Sequence, residues 1–288
     1  MHVSGSTLPF AVLGHPIGHT LSPVMHNASL RSLGMDAIYL AFNVHPDRLM
    51  GVLPAMGEMG FRGVNLTVPL KEVAFRGLKR LDDSARHLGS VNTVQFTPEG
   101  MVGHSTDGYG FLAALREAFA ASPAGLSVFV LGSGGAGRAV AITCAVAGAR
   151  EVVLTDLDES RPPRVAAEIA ALAPHVRTRS VPPVPASWAM ASRAADLVVQ
   201  CTPIGMKAVD ASPLPPDAFR AGQTAFDLVY MYPQTAFMRA AAEGGARAAN
   251  GLGMLLHQGA RSFEIWTGRQ ADTAAMRAAL EGAVYGDG

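Results

Sequence analysis

The run GSGGAG from Gly132 to Gly137 and the acidic Asp156 have the types and the spacing, about 20 positions from last glycine to acid, that dinucleotide binding asks for. In such a loop Gly132 allows a tight turn, Gly134 lets backbone approach a pyrophosphate, and Gly137 lets a helix pack closely on a strand. Ser133, Gly135 and Ala136 complete the cradle, and Asp156 is placed to accept hydrogen bonds from a ribose diol. A second group of polar residues lies upstream, in the segments GHTLSPVMHN, NLTVPLK, SVNT and HSTDG. Each puts hydroxyl, amide or charged groups at the end of a predicted strand, which is where an open α/β sheet binds its ligands. Taken one at a time they have ordinary structural uses: Ser22 before Pro23 suits a helix N-cap, Thr67 and Asn92 suit caps or turns, and Lys71 and Asp107 suit an exposed surface. Taken together they point to a second site.

The elements that must position these groups follow from hydrophobic patterning. SVFVL before the glycines is an apolar, β-branched run fit for a buried strand; RAVAITCAVAG after them continues as a helix of small residues, and EVVLTD supplies the next strand, ending at Asp156. Upstream, PFAVLG precedes a helical stretch over 23–33, AIYLAFNV precedes one over 46–59, and FRGVNLTV precedes two short helical pieces. This βαβ rhythm predicts a largely parallel sheet buried on both faces. VNTVQF and MVGHSTD read as an adjacent strand pair turned by Pro98, Glu99 and Gly100. The expected plan is an α/β chain of two domains: an open, mostly parallel α/β domain over 1–108, a linking helix within 109–125, a Rossmann domain over 126–250, and C-terminal helices over 251–288 that pack back toward the first domain. The stretch 161–185 is too interrupted by proline for an element count.

Composition excludes other classes. With 288 residues, 49% hydrophobic, 16% charged and no formal net charge, the chain offers no electrostatic footprint for nucleic acid or an anionic membrane. Neither a signal peptide nor a run of about 20 apolar residues is seen, so a cytoplasmic enzyme acting on small molecules, as monomer or homodimer, is expected. Cys144 and Cys201 read as core thiols. Pro16 and Gly18 break any helix between His15 and His19, and neither they nor His26 has an adjacent carboxylate or thiolate, so no metal is expected.

HTLSP, NLTVPLK, SVNT, STDG, GSGGAG, CTPIGM, DLVY and NGLGMLLHQGA, in this order, closely resemble the shikimate dehydrogenase family across nearly the whole chain. The resemblance implies a substrate-binding and catalytic N-terminal domain, and reversible reduction of 3-dehydroshikimate to shikimate with a nicotinamide cofactor. It places Lys71 and Asp107 as the proton-transfer pair, Thr20 and Ser22 on the substrate carboxylate, and Thr67, Asn92, Tyr230 and Gln258 on the ring hydroxyls. On the cofactor side it adds Leu228, Gly251 and Asp83 to the glycine-rich loop.

Two departures from the family pattern matter. Thr155, Asp156 and Leu157 stand where NADP-using members carry an Asn-Arg-Thr stretch, and a carboxylate there repels a 2′-phosphate by about 1 to 4 kcal/mol at surface-like dielectric. NAD is favoured, and NADP held by Arg161 or Arg164 stays open. Thr20 stands where the family usually has serine, which leaves an NAD-dependent quinate/shikimate dehydrogenase as the alternative. A sensor on the same fold without catalysis is the more distant one.

Overall fold

The structure is a computed structural model that describes residues 3–286. It divides into two compact units, Met1–Gly110 with Leu255–Gly288, and Phe111–Met254.

The first unit opens β1 (Leu8–Gly14), α1 (Ser22–Ser32), β2 (Ala37–Asn43), α2 (Leu49–Glu58), β3 (Gly63–Leu66), α3 (Leu70–Gly77), β4 (Arg80–Leu81), α4 (Asp83–Leu88), β5 (Thr93–Thr97) and β6 (Gly100–His104). Its sheet has the order β2-β1-β3-β5-β6-β4, with β5 antiparallel to both neighbours and every other pairing parallel. That single reversal decides where the polar segments go. The carboxyl ends of β1, β3 and β6 and the amino end of β5 all fall on one edge of the sheet, so the loops carrying Thr20, Thr67, Asn92 and Asp107 emerge together. β1 and β3 are buried along nearly their whole length, as strands covered on both faces must be. The core beneath the site is built from Leu13, Leu49, Leu53, Val64, Leu70 and Val94.

The helix α5 (Asp107–Phe119) follows β6 and runs into the second unit. There β7 (Ser127–Leu131), α6 (Gly135–Val146), β8 (Glu151–Thr155), α7 (Arg161–Leu172), β9 (Arg177–Ser180), α8 (Pro185–Ala194), β10 (Leu197–Gln200), β11 (Thr224–Asp227), α9 (Ala236–Glu243) and β12 (Arg247–Ala249) form a sheet of order β12-β11-β10-β7-β8-β9. All five of its pairings are parallel. This is a doubly wound sheet whose strand order reverses between β7 and β10. The chain closes with α10 (Leu252–Thr267) and α11 (Thr273–Tyr285), and α11 packs on α1 within the first unit. The expected α/β plan with two parallel-rich sheets is the one observed. Among the described residues no helix is long and apolar enough to cross a membrane, and no group of three or more metal-binding side chains occurs.

One local expectation is corrected. Ser22 does not cap α1: it is the first helical residue, Leu21 holds the cap position with helical backbone angles, and no side-chain cap bond forms. Pro23, at the start of the helix, has no N–H to be capped. The Ser22 hydroxyl instead accepts from Thr20 Oγ1 at 3.3 Å.

Candidate functional site

In the first unit the Lys71 ammonium donates to Asp107 Oδ2 at 2.6 Å, and the Asn92 amide donates to Asp107 Oδ1 at 2.9 Å. Lys71 lies in the first turn of α3, where a cation opposes the helix dipole, while Asp107 opens α5, where an anion is favoured. The Asp107 carboxylate therefore satisfies its own helix and compensates the other. With side chains 28% and 14% exposed, the pair is reachable from solvent yet shielded enough for its charges to matter. Chemically this is an ammonium that can pass a proton to a neighbouring oxygen, held by a carboxylate with both oxygens occupied.

Other predicted residues gather around the pair. Asn92 Nδ2 also reaches Gln258 Oε1 at 3.4 Å, and Gln258 is itself fixed by donating to the Leu255 carbonyl. Thr67 begins the loop after β3, its N–H donating to the Leu13 carbonyl, and its methyl fills the space left by Gly14, where a Cβ would sit 2.6 Å away. Thr20 Oγ1 accepts the Ser22 N–H at 3.3 Å as well as donating to its hydroxyl, so the two hydroxyls form one pair on the loop between β1 and α1. Asp83 is different. Its carboxylate is 88% exposed, pairs with Arg86 at 3.7 Å and bonds to none of the other predicted residues.

Sequence reasoning missed a buried layer behind Asn92, formed by Asn65, Thr93, Thr106 and Ser262. Asn65 and Ser262 are 6% and 0% exposed. A signal was available for Asn65, since a polar side chain in the middle of the four-residue buried strand GVNL needs a partner. Ser262, in the middle of a helix, gave none.

The second unit holds the dinucleotide residues. Gly132 has φ +96°, and a Cβ there would meet the Cys201 backbone at 3.2 Å; one on Gly137 would lie 1.8 Å from the Gly132 carbonyl oxygen. A Cβ on Gly134 would meet only Arg161 Nη1, at 3.6 Å, and one on Gly135 would meet nothing. Backbone at the start of α6 is thus open where a phosphate would approach, with Ala136 in the same turn. A cavity of about 370 Å³ adjoins this loop at the strand-order reversal, lined by Gly132, Gly134, Asp156, Arg161, Trp188 and Cys201 among others. Asp156 Oδ2 accepts the Ser133 N–H at 2.7 Å and Oδ1 the Asp158 N–H at 2.9 Å. Arg161 lies 3.6 Å from Asp156 and 3.2 Å from Asp158. Open backbone, cavity and carboxylate together fit a dinucleotide. Gly251 packs on Leu228, where a Cβ would come within 2.2 Å of the Leu228 carbonyl oxygen, so glycine is required there. Burial raises the Tyr230 phenol above its ordinary range and pushes both cysteine thiols up, Cys144 in the core and Cys201 at the cavity wall. Asp227, fully buried at the end of β11, has its carboxyl raised to about 6 by burial, against the hydrogen bonds from Thr235 and the Val229 N–H.

Comparison with known proteins agrees with this geometry. Residues 12–94 match the shikimate dehydrogenase substrate binding domain, and residues 251–281 match the shikimate 5'-dehydrogenase C-terminal domain. A protein from Moorella thermoacetica named shikimate dehydrogenase (NADP(+)) is 42% identical over 99% of this chain and 96% of its own length. Shikimate 5-dehydrogenase from Listeria monocytogenes, solved in complex with shikimate and NAD, is 30% identical with TM-score 0.91 over 97% of this chain and 98% of its own. The Thermus thermophilus enzyme, solved with NADP(H) and shikimate, is 39% identical with TM-score 0.83 over 96% and 99% of the two chains. The chain belongs to the shikimate dehydrogenase family.

Proposed function

We propose that this chain is a shikimate dehydrogenase that reversibly reduces 3-dehydroshikimate to shikimate in the cytoplasm, on the way to aromatic amino acids. The observation that carries the reading is the Lys71–Asp107–Asn92 cluster at the ligand-binding edge of the first sheet. When bound, a nicotinamide dinucleotide supplies the hydride. Lys71 then serves as general acid, giving a proton to the ketone oxygen as the alcohol forms, and as general base in the oxidation direction. Asp107 bonds both the reacting hydroxyl and the ammonium. Thr20 and Ser22 take the substrate carboxylate, and Thr67, Asn92, Tyr230 and Gln258 the ring hydroxyls. The loop 132–136, Asp156, Leu228 and Gly251 hold the dinucleotide.

Within that reading the cofactor is NAD. Asp156 is held in place by two backbone N–H groups, which resist its swinging away from a ribose. Arg161, the cation nearest to it, is already engaged by Asp156 and Asp158, and a 2′-phosphate would have to win it from both carboxylates. The relative from Moorella is named for NADP(+), so this preference is a property proposed for this chain alone.

The test is a two-by-two comparison of initial rates with shikimate and quinate, each with NAD⁺ and NADP⁺. The expected result is shikimate oxidation with kcat/KM at least about tenfold higher for NAD⁺, the factor that about 1.4 kcal/mol of repulsion produces. A preference for NADP⁺ would overturn the Asp156 argument. Comparable quinate rates would move the assignment to quinate/shikimate dehydrogenase, and absence of turnover in all four pairings would overturn the enzymatic reading.

A further inference from the structure

The layer behind Asn92 has a direction built into it. Asn92 Oδ1 accepts the Thr106 backbone N–H at 2.8 Å, and a backbone N–H can only donate. The amide is thereby oriented with Nδ2 toward Asp107. The Thr93 hydroxyl donates to the same Oδ1 at 2.9 Å. One step further back, Asn65 Nδ2 lies 3.0 Å from the Asn92 carbonyl, 3.1 Å from Thr93 Oγ1 and 3.0 Å from Ser262 Oγ. The carbonyl can only accept, so Asn65 must present Nδ2 on that side and Oδ1 on the other. There the Tyr39 hydroxyl donates to Oδ1 at 2.7 Å, and among the described residues no other side chain does.

Tyr39 is 1% exposed, and its ring stacks on His26 with centroids 4.2 Å apart and planes 5° from parallel. A single line of donors runs from Tyr39 through Asn65, Thr93 and Asn92, and it terminates on the Asp107 carboxylate. Each bond in such a line polarises the next.

We propose that Tyr39 is a positioning residue for the proton-transfer pair: its hydroxyl holds the Asn65 amide in the orientation that supports Asn92, and Asn92 holds Asp107 facing Lys71. This rests on the reading of Lys71 and Asp107 as the pair that serves shikimate. Tyr39 touches neither of them. Without its hydroxyl, Asn65 Oδ1 becomes a buried acceptor with no donor, and the amide gains a reason to rotate away from the Asn92 carbonyl.

The test is Tyr39→Phe, which keeps the ring and the His26 stack. Three experiments are run on the full chain: steady-state kinetics giving kcat and KM for shikimate and cofactor, a thermal melt giving the midpoint, and ¹H–¹⁵N spectra giving the side-chain amide resonances of Asn65 and Asn92. The expected result is a fall in kcat of about tenfold with cofactor KM within about twofold, together with shifted amide resonances for both asparagines. A lowered midpoint with wild-type kcat below it would reduce Tyr39 to a structural role and overturn the proposal, as would amide resonances that do not move. If the wild-type chain fails to oxidise shikimate, the functional reading fails by itself, and the resonances still decide whether Tyr39 orients the amides. If Tyr39→Phe does not fold, Asn65→Ser removes the amide through which Tyr39 acts: the same fall in kcat with a shifted Asn92 amide is expected, and wild-type kcat or an unmoved Asn92 resonance would overturn the proposal.

Discussion

Lys71 and Asp107 sit 36 residues apart in sequence and 2.6 Å apart in space, each in the first turn of its own helix. Because Asp107 also has Asn92 on its second oxygen, losing Lys71 leaves the carboxylate partnered and the local fold intact. Lys71→Met retains a stem of similar length and apolar character but no transferable proton. Turnover with shikimate is expected to fall about 10²- to 10⁴-fold with a much smaller change in substrate dissociation constant, measured by steady-state rates and by equilibrium titration. Near-normal turnover would remove Lys71 from the mechanism. These two residues were legible in the sequence because they follow predicted strands, and charges at strand ends of an open sheet are where ligands bind. Tyr39 was not, because a tyrosine in AIYLAFNV is an ordinary strand residue, and only the fold shows that its hydroxyl meets Asn65 across β1 and β3. Ser22 before Pro23 suited a helix cap as well as the substrate carboxylate; the structure rules out the cap and pairs its hydroxyl with Thr20, leaving the role that the functional reading uses.

At the scale of elements, the glycines of the β7–α6 turn divide by what surrounds them. A Cβ on Gly137 would come within 1.8 Å of the Gly132 carbonyl oxygen, forcing α6 away from β7 and opening the cradle. Gly137→Ala is expected to destabilise the second unit by about 1 to 3 kcal/mol, the range for overpacking, and to weaken dinucleotide binding. Gly135, at the start of the same helix, has open space around its Cβ, and alanine is a better helix former than glycine by up to about 1 kcal/mol. Gly135→Ala is therefore expected to leave stability unchanged or raised. Thermal melts with fluorescence titration of dinucleotide separate the two, and equal melting points for both variants would contradict the packing argument. The same turn was readable in advance because apolar strand, glycines and small-residue helix all agree there. The stretch 161–185 was not, for a definite reason: Pro162, Pro163 and Pro185 stand in first helical turns, where proline is at home, so they start α7 and α8 rather than interrupt them. Between them β9, RTRS, is polar and mostly exposed, without the apolar signal a strand usually gives.

For the molecule as a whole, the two units carry buried titratable groups of opposite sign. His26 lies in the first unit stacked on the Tyr39 ring and tilted against Trp266, its ring nitrogens have no hydrogen-bond partner among the described residues, and burial lowers it from 6.5 to about 3. Between those values the unfolded chain binds a proton that the folded unit refuses, so the stability this group supports is complete above about pH 6.5 and is lost as pH falls. Burial lowers His104 in the same unit and adds to the loss. Asp227 in the second unit works the other way. Its folded value of about 6 lies above the ordinary 3.8, so the folded carboxyl keeps a proton that the unfolded chain releases, and that stability is present below about pH 4 and is lost as pH rises through 6. Taking about 1.4 kcal/mol per pH unit, moving from pH 8 to pH 5 is expected to cost the first unit about 2 kcal/mol through His26 and to strengthen the second by about 1. Amide hydrogen exchange at the two pH values, corrected for intrinsic rates, reads the units separately: protection is expected to fall for core peptides of β1, β3 and α1 and to rise for those of β7, β10 and β11. In Asp227→Asn, whose amide can still accept from the Val229 N–H and donate to Thr235, the rise in the second unit is expected to vanish while the fall in the first persists. A parallel response of both units in the wild-type chain would mean that at least one of the two buried groups does not govern its own unit.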